Sequence, residues 1–247
     1  MAALTRSSGS IRLVFVRILA FDTSTQTGSV AILDESVLVA EYTLNIRTTH
    51  SERLLSMMDR LLADAELTLG DLDGLAVAVG PGSFTGLRIG VSSVKGLAFA
   101  TGLPVAAVPT LDALAHTLPF ASLPVCPILD AKKGEVYTSL YEWHGDRMER
   151  RWDYMALSPE ALAERISTDV VFVGDGVEPF REVLSGMLGS RAHFTSGARR
   201  LPSAACVAQL GLWALAAGET VDPAALAPLY LRSSEAELRR RHALLSR

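Results

Sequence analysis

The sequence predicts an α/β protein of two repeated lobes, each built in the order β-β-β-α-β-α-β-α. Three observations carry this. The same order of strand and helix patterns runs through the chain twice. The first strand of each copy ends on an aspartate, Asp22 and Asp130. The first copy also holds a strand, a tight turn and a helix around Gly80-Pro81-Gly82-Ser83. A length of 247 residues suits one large domain or two small ones. With 49% hydrophobic but only 6% aromatic residues, the core must be built from Ala, Leu and Val.

Taken in order, Arg17 to Phe21 reads as a strand ending at Asp22. The turn formers Asp22-Thr23-Ser24-Thr25-Gln26-Thr27-Gly28 follow, then strands Ser29 to Leu33 and Val37 to Leu44 joined by Asp34-Glu35-Ser36. Short turns make these three an antiparallel meander. Asp22, Thr23, Ser24 and Thr25 could hold phosphate oxygens through backbone N–H groups and hydroxyls, with a cation on the carboxylate, but such a hairpin also occurs as a plain turn. Ser51 to Ala63 reads as a helix. Its residues Leu54, Leu55, Met57, Met58, Leu61 and Leu62 span an apolar arc of roughly 160°, wider than one core-facing stripe needs. Either the helix sits deep on its sheet, or part of the arc faces a partner, for which methionine is suited.

Next comes the apolar strand Leu75 to Val79, the bend Gly80-Pro81-Gly82-Ser83 and a helix to about Thr101. Ser83 is placed to cap that helix, and Pro81 fixes the bend because it fits neither element. Gly86, Gly90 and Ser93 fall on one side of the helix and form a seam where another backbone can come close. That seam suits packing on the chain's own sheet, a phosphate cradle at the helix N-terminus, or contact with a second chain. Strand Pro104 to Val108 and a short helix from Thr110 to about Thr117 close the first copy.

The second copy opens with strand Val125 to Leu129, Asp130 and the turn Lys132-Lys133-Gly134. Val136 to Trp143 and Met148 to Tyr154 alternate as strands. Ser158 and Pro159 start a helix as cap and first residue. Val170 to Val173 is a strand, Gly174-Asp175-Gly176 a turn, and Glu178 to about Leu188 a helix. Ser203 to Ala217 is apolar nearly all round and should be sandwiched. By sequence order the lobes should span 17–120 and 121–232, with a loose extension at 1–16 and a charged tail at 233–247.

Composition and motifs remove several functions. Net charge is −4, which gives no electrostatic reason to expect strong nucleic-acid binding by the whole chain. Two cysteines make neither a disulfide framework nor a zinc set, and read as buried, reduced thiols. Leu13 to Phe21 is interrupted by Arg17 and has no cleavage site, so it is no secretory signal, and no run approaches a membrane span. A cytoplasmic protein is the expectation. A Walker A loop needs Gly-Lys-Ser/Thr where this bend continues Gly86-Leu87-Arg88. A dinucleotide fingerprint needs Gly or Ala where Thr85 stands.

Two such copies describe the actin-like ATPase (ASKHA, RNase H-like) fold shared by sugar kinases and heat-shock chaperones. Within it, Arg17-Ile18-Leu19-Ala20-Phe21-Asp22-Thr23-Ser24, Gly80 to Gly90 and Pro228-Leu229-Tyr230-Leu231-Arg232 resemble the TsaB (YeaZ) family. The resemblance covers about Arg17 to Arg232. Family members usually open at that first strand, so residues before it are expected to reflect a misassigned start. The resemblance implies a non-catalytic dimerisation and activation subunit, not an enzyme, with no cofactor and no metal of its own. Its partners would be TsaD, as a heterodimer, and TsaE. Together they transfer a threonylcarbamoyl group from its adenylate to N6 of the adenosine next to the anticodon, in tRNAs reading codons that begin with A. TsaB alone would form a homodimer and meet tRNA through the complex.

TsaD carries a metal-binding H-x-x-x-H after its glycine helix and the following strand. The matching positions here are Thr110 and Leu114, with His116 two residues off. Lys132 and Lys133 stand where nucleotide-binding relatives have a glycine-rich second hairpin, so a complete ATP site is not expected; Gly174-Asp175-Gly176 reads as a plain turn or as the border of an adenosine pocket. The expected partner surface is the helix pair, with Leu54, Leu55, Met57, Met58, Leu61 and Leu62 on one helix and Gly86, Gly90 and Ser93 on the other. On that reading Met58→Asp weakens association; if Met58 faces its own sheet, it unfolds the chain. The alternatives are an independent small-molecule kinase of this fold, a metallopeptidase, or an RNA-binding module using Arg239-Arg240-Arg241-His242.

Overall fold

The computed structural model of the protein describes residues 4–5, 12–13, 16–45, 50–145 and 147–232. Apart from a short pairing of Leu4–Thr5 with Arg12–Leu13, the expected N-terminal extension lies outside these residues, as does the tail 233–247 with its arginine run.

The first sheet contains β1 (Arg17–Asp22), β2 (Thr27–Asp34), β3 (Val37–Asn45), β4 (Gly74–Gly80) and β5 (Val105–Pro109). Their order is β3-β2-β1-β4-β5. The meander forms as expected, with β1 antiparallel to β2, and β4 and β5 join in parallel. Strands β1 and β4 are buried along almost their whole length, which is why they read as continuous apolar runs. Helices α1 (His50–Asp64) and α2 (Phe84–Thr101) cover one face.

The second sheet repeats that order. Its central strand β6 (Val125–Lys132) is parallel to β11 (Val170–Val173), which is parallel to β12 (Ala192–Phe194). On the other side of β6 the second and third strands are each broken in two. Val136 to Trp143 becomes β7 (Glu135–Thr138) and β8 (Tyr141–His144); Met148 to Tyr154 gives way to β9 (Arg147–Arg150) and β10 (Met155–Leu157). The break is pinned where Ser139 Oγ donates to Trp152 O at 2.7 Å and Arg151 N donates to Leu140 O at 2.7 Å. Alternation alone cannot show such a bend, because both half-strands keep the same period. Helices α4 (Pro159–Arg165) and α5 (Val177–Leu188) cover this sheet on one face; Ser158 Oγ caps α4 by accepting from Ala161 N at 3.2 Å.

The last helix of each repeat crosses to the other lobe. The short α3 (Thr110–Ala115) gives Leu111, Leu114 and Ala115 to the core beneath the second sheet, with Val125, Tyr141 and Val173. Helix α6 (Ala204–Ala217) lies on the free face of the first sheet, against Ile18, Ala20, Ala76 and Ala106. Its contacts, and those of residues 221–230 beyond it, are with the first lobe, so the chain from α6 onward does not follow the boundary that sequence order suggests. Nor is α6 sandwiched. Ala204, Ala208 and Gly211 face the sheet closely enough that a Cβ on Gly211 would lie 2.5 Å from that of Ala76, while Trp213 on the outer side is exposed. Both cysteines are free; desolvation pushes the Cys126 thiol up to about 12 and that of Cys206 to about 11, too high for a nucleophile at neutral pH.

Candidate functional site

The ends of β1 and β4 bring the Asp22 hairpin against the glycine-rich bend. Ser83 caps α2, its Oγ accepting from Gly86 N at 3.3 Å. Its own N–H donates to Ser24 O at 2.6 Å, and Thr23 Oγ1 donates to Gly86 O at 2.7 Å. Asp22 Oδ1 accepts from Ser24 N at 2.8 Å and from Ser24 Oγ at 2.6 Å. Asp22, Thr23, Ser24 and Thr25 are all buried. The four phosphate-loop candidates are therefore brought together, and the hydrogen bonds of Thr23, Ser24 and Asp22 Oδ1 run to one another and to the chain's own backbone, while Asp22 Oδ2 is buried and takes no part in them.

The glycines of the bend have the same explanation. A Cβ on Gly82 would lie 2.3 Å from Ser24 O, one on Gly86 2.0 Å from Thr23 O, and one on Gly90 2.4 Å from Thr23 Oγ1. Gly80, at φ +118°, lies under the carbonyl of Leu229, 2.7 Å from where its Cβ would be. Gly80, Gly82 and Gly86 are needed because another stretch of backbone passes at contact distance, and Gly90 because the Thr23 side chain does. Of the three readings of the seam, self-packing accounts for Gly86 and Gly90, while Ser93 is half-buried.

The apolar arc of α1 is likewise absorbed. Leu54, Met57, Met58, Leu61 and Leu62 are buried in the core shared with β1, β2, β4 and α2; only Leu55, 48% exposed, points outward. The arc is wide because the helix is sunk into a groove, not because a face is left over. This corrects the expectation that those five side chains present themselves to a partner.

In the second lobe Gly174 repeats the conformation of Gly80, also at φ +118°, and its Cβ would meet Ile128 O at 2.2 Å and Leu114 Cδ2 at 2.9 Å. Gly176 N donates to Ile128 O at 3.0 Å. The turn Gly174-Asp175-Gly176 thus hugs β6. Asp175 Oδ1 accepts from Asp130 N at 3.0 Å. Across the adjoining hairpin, Lys132 Nζ donates to Asp130 Oδ2 at 2.7 Å. Lys132 and Lys133 adopt left-handed backbone, φ 63° and 56°, and both are exposed at the tip of this hairpin.

Desolvation raises the pKa of the Asp175 carboxyl above its ordinary value, with the Asp130 charge adding to the rise. A carboxyl shifted upward holds its proton more tightly folded than unfolded. The stability it contributes is present below the ordinary carboxylate range and lost as pH rises through the raised value. Asn keeps the acceptor for Asp130 N without the charge. Asp175→Asn should therefore melt higher than the parent at neutral pH and converge with it in acid; melting curves at pH 7 and pH 4 check this, and a neutral-pH loss refutes it.

The α3 positions that the family resemblance aligns with metal-binding imidazoles are interior. Thr110 is fully buried, and Leu114 packs against Gly174 in the second-lobe core. His116 faces elsewhere: its Nδ1 lies 2.9 Å from Asp112 O and its ring meets Trp213 edge-on at 5.7 Å. Among the described residues no group of three His, Cys, Asp or Glu could hold a metal ion. Sequence reading missed Asp112, whose Oδ1 accepts from Tyr141 OH at 2.5 Å and Tyr154 OH at 2.8 Å and so ties α3 to the second sheet. Nothing in its spacing could have flagged it, because both tyrosines come from the other lobe.

What remains open on the first lobe is the outer side of α1 and α2. A surface cavity of about 400 Å³ on α2 is lined by Phe84, Thr85, Arg88, Ile89 and Ser92. One turn further, Gly96 is exposed, with nothing within 4 Å of a built Cβ.

Residues 38–240 match the family model described as TsaD, tRNA N6-adenosine threonylcarbamoyltransferase. The chain is 34% identical to the tRNA threonylcarbamoyladenosine biosynthesis protein TsaB of Bacillus subtilis, over 89% of this chain and 96% of that one. It is 33% identical to the protein of the same name from Escherichia coli, over 90% and 96%. The solved YeaZ of Pseudomonas aeruginosa superposes with a TM-score of 0.74 at 33% identity, covering 87% of this chain and all of that one. Component A of the (R)-2-hydroxyglutaryl-CoA dehydratase of Acidaminococcus fermentans, at 12% identity and TM-score 0.50, shares the fold alone.

Proposed function

The chain belongs to the tRNA N6-adenosine threonylcarbamoyltransferase family, on its TsaB branch, and we propose that its part is to dock on the transferase TsaD and support it, not to transfer the group itself. It is a subunit of the machinery that makes threonylcarbamoyladenosine in tRNA, and partnership with TsaD follows from that membership. The observation that carries the non-catalytic reading is Leu114. A leucine packed between Gly174 and the second-lobe core can neither ligate a metal nor make way for one without opening that core. The Asp130–Lys132 pair supports the absence of a working nucleotide site in the second lobe.

The partner surface in this reading is the open side of α1 and α2, with Leu55, Ile89, Ser92, Ser93 and Gly96. It offers an outward leucine, a cavity and a glycine where a foreign helix can approach closely. The same surface would serve a homodimer when the chain is alone, so the two assemblies exclude each other. TsaE joins the pair, tRNA is met through the complex, and the setting is the cytoplasm. Among the described residues no helix is long and apolar enough to cross a membrane.

The test is reconstitution with threonylcarbamoyl adenylate and tRNA. The chain alone should give no modified adenosine and, after a chelator wash, carry no stoichiometric transition metal. Addition of TsaD should give product, and more of it than TsaD alone. Turnover by the isolated chain would sink the reading.

A further inference from the structure

After α6 the chain does not stop at the first lobe. Val221 bridges to Val105 on β5. Lys95 Nζ on α2 donates to the carbonyls of Ala224 at 3.0 Å and Leu226 at 3.2 Å, and Leu226 is buried in the first-lobe core. Leu229 N donates to Val79 O at 2.7 Å, which lays the backbone over Gly80. The ring of Tyr230 stacks on Phe84 with centroids 5.1 Å apart, and its hydroxyl accepts from Arg88 Nε at 3.0 Å. Two residues on, Arg232 forms an ion pair with Glu135, the first residue of β7 in the second lobe.

We propose that residues 221–232 are a clamp that holds the two lobes in register, fastened to the first lobe at Leu229 and Tyr230 and to the second by the Arg232–Glu135 pair. The lobes are otherwise joined by the chain crossings at α3 and at 195–203, and by α3 itself, which packs Leu111 and Leu114 beneath the second sheet and holds Tyr141 and Tyr154 through Asp112. Two-lobed proteins close and open by rotation about such crossings. A further tie between Arg232 and Glu135 opposes that rotation. The clamp also accounts for Gly80, whose missing Cβ is the space it occupies, without any ligand.

The pair is about one-third exposed on both sides, 34% and 35%, so it is a modest fastening that solvent screens. Tyr230 carries an aromatic stack and a hydrogen bond and is the stronger one. Hydrogen–deuterium exchange on the full chain tests the proposal. Tyr230 touches only first-lobe residues in the contacts above, yet Tyr230→Ala should speed exchange about tenfold both at the Leu229 amide and in the second-lobe hairpin 130–138. Arg232→Gln and Glu135→Gln should each speed both segments by about two- to fivefold, and the exchanged pair Glu135→Arg with Arg232→Glu should restore them. Acceleration of residues 224–231 alone in Tyr230→Ala, with the hairpin unchanged, would overturn the clamp. So would single charge variants indistinguishable from the parent, or a charge swap that restores neither segment.

Discussion

Gly86→Ala should destabilise the protein by about 3 kcal/mol and lower its melting temperature by about 6–12 °C. Intrinsic helix propensity argues for the opposite sign: Gly86 is inside α2, where Ala is favoured over Gly by about 1 kcal/mol. The site decides against it. The new Cβ would lie 2.0 Å from Thr23 O, a backbone atom that cannot rotate aside. Either the helix or the hairpin must move by about an ångström, an overpacking cost of about 1–3 kcal/mol. The movement also stretches the Thr23 Oγ1 to Gly86 O and Ser83 N to Ser24 O bonds, each worth about 1 kcal/mol net. Gly96→Ala on the same helix is the control. With nothing within 4 Å of its Cβ it should be neutral or gain up to about 1 kcal/mol. Denaturant unfolding of the two variants beside the parent gives the comparison, and a Gly86→Ala protein as stable as Gly96→Ala would mean that the hairpin does not sit on this helix.

The contrast between these glycines marks where the sequence is legible. That a strand, a bend and a capped helix lie at residues 75–101 is written locally, in an apolar run, a proline and a serine, and all three behave as their chemistry requires. Ser158 and Pro159 are equally local. The repeat order could be read because each element has its own period. Which sheet a helix covers is not local. The apolar faces of α3 and α6 would suit either sheet, so nothing in them reveals the exchange between lobes. The clamp is harder still: Pro228 to Arg232 has no period, and the partners Arg88 and Tyr230 are 142 residues apart in sequence. For the candidate site, composition gave the glycines and the hydroxyls but not what they touch. Periodicity puts Gly86 in the seam and Gly96 off it, but only the path of the β1–β2 hairpin shows what fills that seam.

Leu55→Asp should abolish stable association with TsaD while leaving the chain folded, and Met58→Asp should unfold it. The two residues are neighbours on α1 and were equivalent in the apolar arc, but Met58 is 5% exposed within the core and Leu55 is 48% exposed. A carboxylate at position 58 would be buried without a partner, a loss of several kcal/mol that takes a large share of the stability of a domain at about 5–15 kcal/mol. At position 55 the free chain only replaces a solvated leucine with a solvated charge, within about 0.5 kcal/mol of neutral. In a complex that charge is desolvated against the partner, which should weaken association by about 3–5 kcal/mol, a factor of at least a hundred. Gly96→Leu probes the same surface by bulk alone. It should fold at least as well as the parent, since a Cβ there has nothing within 4 Å and leucine gains helix propensity, yet keep a foreign helix from approaching closely. Circular dichroism melts paired with size-exclusion chromatography against TsaD separate the cases. If Leu55→Asp and Gly96→Leu both elute with TsaD as the parent does, the open side of α1 and α2 is not where the partner docks.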